Sequence, residues 1–123
     1  MLFPPSLSTA VLERSFRSSN GEIGVLPADT EAFLAACEAD QIEVLGWELW
    51  LVDHLFDPES GVPKQADGVW CGLIPTLEYD LPAVIAGEGD ARLTRTDIAA
   101  LNLNAVVKPQ WLRYARFNFT LDL

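Results

Sequence analysis

The stretch IEVLGWELWLV, residues 42–52, decides how this chain is read. It is rich in β-branched and aromatic residues, which fit a pleated, half-buried surface, so it predicts a strand. Successive side chains on a strand point to opposite faces. Trp47, Leu49 and Leu51 therefore take one face, and Glu48, Trp50 and Val52 the other. Glu43 joins the polar face only if the register shifts between it and Glu48. Gly46 lies between them and allows a β-bulge, which inserts one residue and flips the parity. Two tryptophans three apart thus point in opposite directions. One is expected in the core. Trp50 shares its face with Glu48, and a tryptophan beside a carboxylate on a wet face points to a binding surface. The competing reading buries both indoles and ties Glu48 to Arg113 or Arg116 on a neighbouring strand.

Working outward, residues 7–18 predict a short helix with Val11, Leu12 and Phe16 on its apolar side. SSNG at 18–21 ends it, and Ile23 to Leu26 is a short strand. Pro27 suits the first helical position, and Asp29 and Glu31 suit the first turn of a helix over 27–39, with Phe33, Leu34 and Cys37 as its buried stripe. DPESG at 57–61 is turn chemistry, and the polar loop runs on to Asp67. GVWCGLI, 68–74, predicts a strand stopped by Pro75, and 76–91 reads as mostly irregular. Thr94-Arg95-Thr96-Asp97 opens a helix to about residue 103 in the manner of a capping box. The last strand, Leu112 to Leu123, has the clearest pattern. Ala115, Phe117, Phe119, Leu121 and Leu123 alternate with Arg116, Asn118, Thr120 and Asp122, one face buried and one wet. The order predicts a single α+β domain over residues 1–123, an antiparallel or mixed sheet with helices packed on one face.

At 123 residues, half of them apolar and 21% charged, the chain has the composition of a folded domain. A net charge of −10 opposes binding to nucleic acid and to anionic membranes. The basic–aromatic run RYARFNF does not reverse this, because its phenylalanines alternate inward. The charge is unevenly spread. Of 18 acidic residues, 15 fall between Glu22 and Asp90, where Lys64 is the only basic residue. The first residues lack the basic and long apolar regions of a secretion signal, and no stretch approaches a membrane span. Cys37 and Cys71 sit in apolar contexts and are expected as buried, reduced thiols in a cytoplasmic protein.

Catalytic chemistry finds little support. Asp53-His54 contains the only histidine, yet there is no Gly-x-Ser-x-Gly elbow and no zinc-spaced His/Cys cluster, so strand-end capping is the simpler role. Gly87-Glu88-Gly89-Asp90 lacks the lysine of a P-loop and reads as a turn. No catalytic residue, metal site or cofactor is expected.

A small acidic α+β chain with a tryptophan on a wet strand face reads as a binding protein, with Glu43, Glu48, Trp50, Asp53, Asp57 and Glu59 as candidate contacts. In its acidic middle and its GWELW segment it resembles the small immunity proteins of bacterial polymorphic-toxin systems. The resemblance implies a basic protein partner, a toxin with a basic surface, whose active site would be covered. The alternatives are a small enzyme or ligand-binding domain, with a pocket lined by Trp50, Trp70 and Tyr79 and with Glu48 or His54 as acid/base, and a subunit of a larger assembly.

Overall fold

β3 (Glu43–Leu51) is the central strand of a three-stranded antiparallel sheet, between β4 (Ala86–Glu88) and β5 (Ala115–Asp122). The computed structural model describes residues 3–17, 21–51, 85–107, 109, 112 and 115–123. The loop expected at 57–67, the strand at 68–74 and the irregular piece at 76–84 lie outside the described residues.

Trp47 faces Phe119 on one side and Gly87 on the other, while Glu48 faces Asn118 and Ala86. The register shifts between Val44, opposite Leu121, and Gly46, opposite Thr120. The extra residue, Leu45, is turned out to solvent. The expected bulge is therefore present, and it puts Glu43 on the face of Glu48. Gly46 suits the site because a Cβ there would lie 2.7 Å from the Gly87 carbonyl oxygen.

The inner face carries Val44, Trp47 and Leu49 from β3 and Ala115, Phe117 and Phe119 from β5, all buried. One of its covers is α2 (Thr30–Ala39), entered through a 3-10 turn at Pro27–Asp29. Phe33 of α2 stacks on Phe119 with ring centroids 4.9 Å apart. Each such side chain contributes roughly 1.5–3 kcal/mol by leaving water. Helix α2 closes with Gln41 at φ +56° and the Ile42 amide donating to the Cys37 carbonyl at 2.9 Å, which satisfies a carbonyl the helix leaves open. Asp29 does not cap α2. It is buried and accepts two hydrogen bonds from Arg14, at 2.8 and 3.1 Å. α3 (Ala91–Ala100) packs beside α2, and Arg95 joins them by pairing with Glu31 at 2.7 Å and with Glu38. The helices and the antiparallel sheet make an α+β fold.

Four local expectations are corrected. Helix α1 spans Thr9–Arg14, not 7–18. Both the amide and the hydroxyl of Ser15 donate to the Leu12 carbonyl, at 3.3 and 2.8 Å, and a serine bonded this way competes with the helix ladder. Phe16 then opens β1 (Phe16–Arg17), which pairs with β2 (Ile23–Gly24). Residues 86–88, read as irregular, form β4, whose structure comes from pairing with β3 rather than from local propensity. α3 begins at Ala91 because the Asp90 carboxylate accepts from the Leu93 amide at 2.9 Å, which leaves Thr94 buried inside the helix. That helix stops at Ala100, and α4 (Leu103–Val106) follows, capped by Asn102.

The fourth correction concerns the outer sheet face. The β1–β2 hairpin lies over its Trp50 end. Phe16 meets the Trp50 ring edge-on at 6.1 Å, and Asn118 Nδ2 donates to the Ile23 carbonyl at 3.0 Å. Val25 continues past the hairpin to bridge Phe117 through two 2.8 Å backbone bonds. Arg116 and Asn118, placed on a wet face by alternation, are therefore buried, 5% and 4% exposed. Gly24 permits this approach, since a Cβ there would lie 2.9 Å from the Trp50 ring and 3.1 Å from Arg116 Cβ. Gly24→Val should push the hairpin off Trp50 and cost about 1–3 kcal/mol, as overpacking does. Urea denaturation measures this; an unchanged midpoint would show that the hairpin does not rest on the indole.

Candidate functional site

The indole N–H groups of both tryptophans in GWELW are bonded to carboxylates. Trp47 Nε1 donates to Asp97 of α3 at 3.3 Å on the inner side, and Trp50 Nε1 donates to Glu48 at 2.8 Å on the outer side. Both rings are buried, Trp47 at 6% exposure and Trp50 at 5%. Each also lies against a glycine. Trp50 covers Gly24, and a Cβ on Gly87 would lie 2.4 Å from Trp47 Nε1 and 2.7 Å from Asp97 Oδ2. A buried indole keeps its polar tip satisfied in this way while the ring packs. The expectation of Trp50 on a wet face is thus corrected. It shares Glu48's face, as the spacing requires, but the hairpin covers it. Both indoles are thus buried, as the competing reading has it, and Glu48 accepts from the indole of its own strand; Arg113 lies outside the described residues.

What stays open is the other end of the outer face. The register places Glu43 opposite Asp122 and Glu88 opposite Gly46, with Glu48 and Thr120 on the same side. Glu43, Glu88, Thr120 and Asp122 are exposed and Glu48 is half-buried. A dimple of about 120 Å³ at the β5 edge, lined by Glu22, Asn118, Thr120 and Leu123 among others, is too small for a metabolite. Many of the remaining described acids have structural partners. Asp29 pairs with Arg14, and Glu31 and Glu38 pair with Arg95. Asp40 accepts from the amide and hydroxyl of Ser6, and Asp90 caps α3. Among the described residues, the side chains of Glu43, Glu88 and Asp122 make no hydrogen bond or ion pair, and no group of His, Cys, Asp or Glu is placed to hold a metal ion.

The sequence expectation therefore divides. Glu43 and Glu48 come together on one face, Trp50 is structural, and Asp53, Asp57 and Glu59 lie outside the described residues. So do His54, Trp70 and Tyr79 of the proposed pocket, and Cys71. Glu88 and Asp122 were missed as site residues. Asp122 was legible as a wet position of the last strand. Glu88 required the β3–β4 pairing.

Charge states follow the contacts. The hydrogen bond from Arg95 holds Glu38 below the ordinary carboxylate range, and its bonds to Glu38 and Glu31 raise Arg95. Burial lowers Arg116, with the charge of Asp29 opposing. Burial pushes the Cys37 thiol up to about 11 from 9.0. A thiol that ionises less readily when folded leaves stability intact below pH 9 and erodes it as pH climbs toward 11. In native protein at pH 8, Cys37 should react with a thiol reagent far more slowly than in denaturant. Equal rates would contradict its burial.

Comparison with family models, with curated proteins and with solved structures finds no match for this chain. Among the described residues, no helix is long and apolar enough to cross a membrane.

Proposed function

We propose that this protein binds and neutralises a basic protein partner, in the manner of the small acidic immunity proteins that it resembles, and that it docks through the open end of the outer sheet face. The carrying observation is the direct opposition of Glu43 and Asp122 across β3 and β5. Like charges facing each other on neighbouring strands destabilise a sheet. Glu88 adds charge to the same face, and no described basic residue offsets it at that end: Arg116 lies beneath the hairpin. A face that carries an unfavourable charge pair is suited to receive cations from a partner. The lining of Glu43, Glu48, Glu88 and Asp122 makes the contact electrostatic, whereas a buried Trp50 cannot serve as an aromatic anchor without displacing the hairpin. The partner is a basic protein, a toxin by the resemblance, and the buried Cys37 thiol fits a reducing cytoplasm.

The test separates folding from binding. Glu43→Lys should raise stability by roughly 0.2–1 kcal/mol in urea denaturation, because it turns a repulsive cross-strand pair into an attractive one. The same change should slow association with the basic partner, and the wild-type on-rate should fall steeply as salt shortens the Debye length toward about 8 Å. An on-rate indifferent to both salt and Glu43→Lys would overturn the proposal, as would protection of cells from the partner that survives charge reversal at Glu43, Glu88 and Asp122 together.

A further inference from the structure

The inner side of the molecule carries a second feature, independent of the acidic face. A shallow, largely open depression of about 540 Å³ lies between α3, α4 and β4, which is an edge strand among the described residues. Its walls include Trp47, Ile85, Ala100, Leu101 and Val106, and one ionisable side chain, Asp97. Its lining joins apolar walls to a polar group that can fix a ligand's orientation, the combination small-molecule sites use. Asp97 is such a group. Its Oδ2 is tethered by the Trp47 indole at 3.3 Å, its described contacts include no cation, and Gly87 leaves the space in which carboxylate and indole meet.

We propose that this depression binds a small organic monocation with an apolar body, whose ammonium pairs with Asp97 while the body lies along Leu101, Val106 and the wall formed by Ile85. Charge complementarity selects the cation: a single tethered carboxylate in an apolar depression attracts an ammonium and repels an anion. The apolar walls select the body, since a fully hydrated ammonium would leave them wet. The size selects a small molecule with a body of about one ring.

The experiment uses the full chain labelled with 15N and three probes of one shape, 2-phenylethylammonium, neutral 2-phenylethanol and phenylacetate. The side-chain N–H resonance of Trp47, assigned through Trp47→Phe, is followed during titration. The ammonium should shift it and bind about fivefold or more tightly than the alcohol, the scale of a partly exposed charge pair, while phenylacetate should bind more weakly than either. Asp97→Asn should bring the ammonium down to the affinity of the alcohol, and Ala100→Phe, which fills the depression from an exposed helix position, should remove both. Equal binding of ammonium and alcohol by the wild-type protein would overturn the assignment, as would a Trp47 resonance unmoved by millimolar ammonium, or ammonium binding unaffected by Ala100→Phe. Should Asp97→Asn fail to fold, the three-probe comparison on the wild-type protein decides alone.

Discussion

The pairing of β3 with β5 across the bulge at Leu45 is the constraint on which the rest depends. It sends Trp47 and Trp50 to opposite faces of a central strand. Both indoles are buried, so both faces of this sheet carry a cover. On one face the cover is helical, with Phe33 of α2 on Phe119 and Asp97 of α3 at the indole tip. On the other it is the hairpin of Phe16–Arg17 and Ile23–Gly24, too short to cover the whole face. Its limited length is what leaves Glu43, Glu88 and Asp122 in solvent. The candidate interaction surface is in this sense the part of the sheet that the second cover does not reach.

Carboxylates in the chain divide between two kinds of use. Some hold elements together: Asp29 anchors α1 to the turn before α2, and Glu31 and Glu38 receive Arg95 of α3. Two satisfy indoles. Of the remaining described acids, Glu43, Glu88 and Asp122 share one sheet face, where Glu43 and Asp122 oppose each other. Stability alone would favour a cation or a neutral residue at one of these positions. The many acids between Glu22 and Asp90 therefore overstate the acidic surface, because helix-to-helix pairs consume a portion of them.

Much of the architecture was legible before any coordinates. The strand at 42–52, its bulge near Gly46, the helix after Pro27 and the alternating strand at the C-terminal end all follow from local patterns. What escaped was long-range. The Ser15 bond that ends α1 and the landing of Phe16 on Trp50 join residues whose spacing carries no signal. Arg116 and Asn118 read as wet because alternation assigns polar residues outward, yet a polar side chain can be buried once its hydrogen bonds are met, as Asn118 does with the Ile23 carbonyl. Strand β4 escaped because Ala86-Gly87-Glu88 has little strand propensity of its own. The site was legible to the same degree: Glu43 and Glu48 could be placed on one face once a bulge at Gly46 was allowed, whereas Glu88 needed a strand that only tertiary pairing creates.

The central claim is that the two tryptophans are opposed structural seats, each buried with its indole N–H on a carboxylate, rather than one seat and one exposed anchor. Hydrogen exchange of the two side-chain N–H groups, resolved by 15N spectra and assigned through Trp47→Phe and Trp50→Phe, reads this directly. Both should exchange far more slowly than a free indole in the isolated native protein, with Trp50 released when Gly24→Val displaces the hairpin. A Trp50 N–H that exchanges at the free-indole rate in the wild-type protein, and slows only when a partner is added, would contradict it.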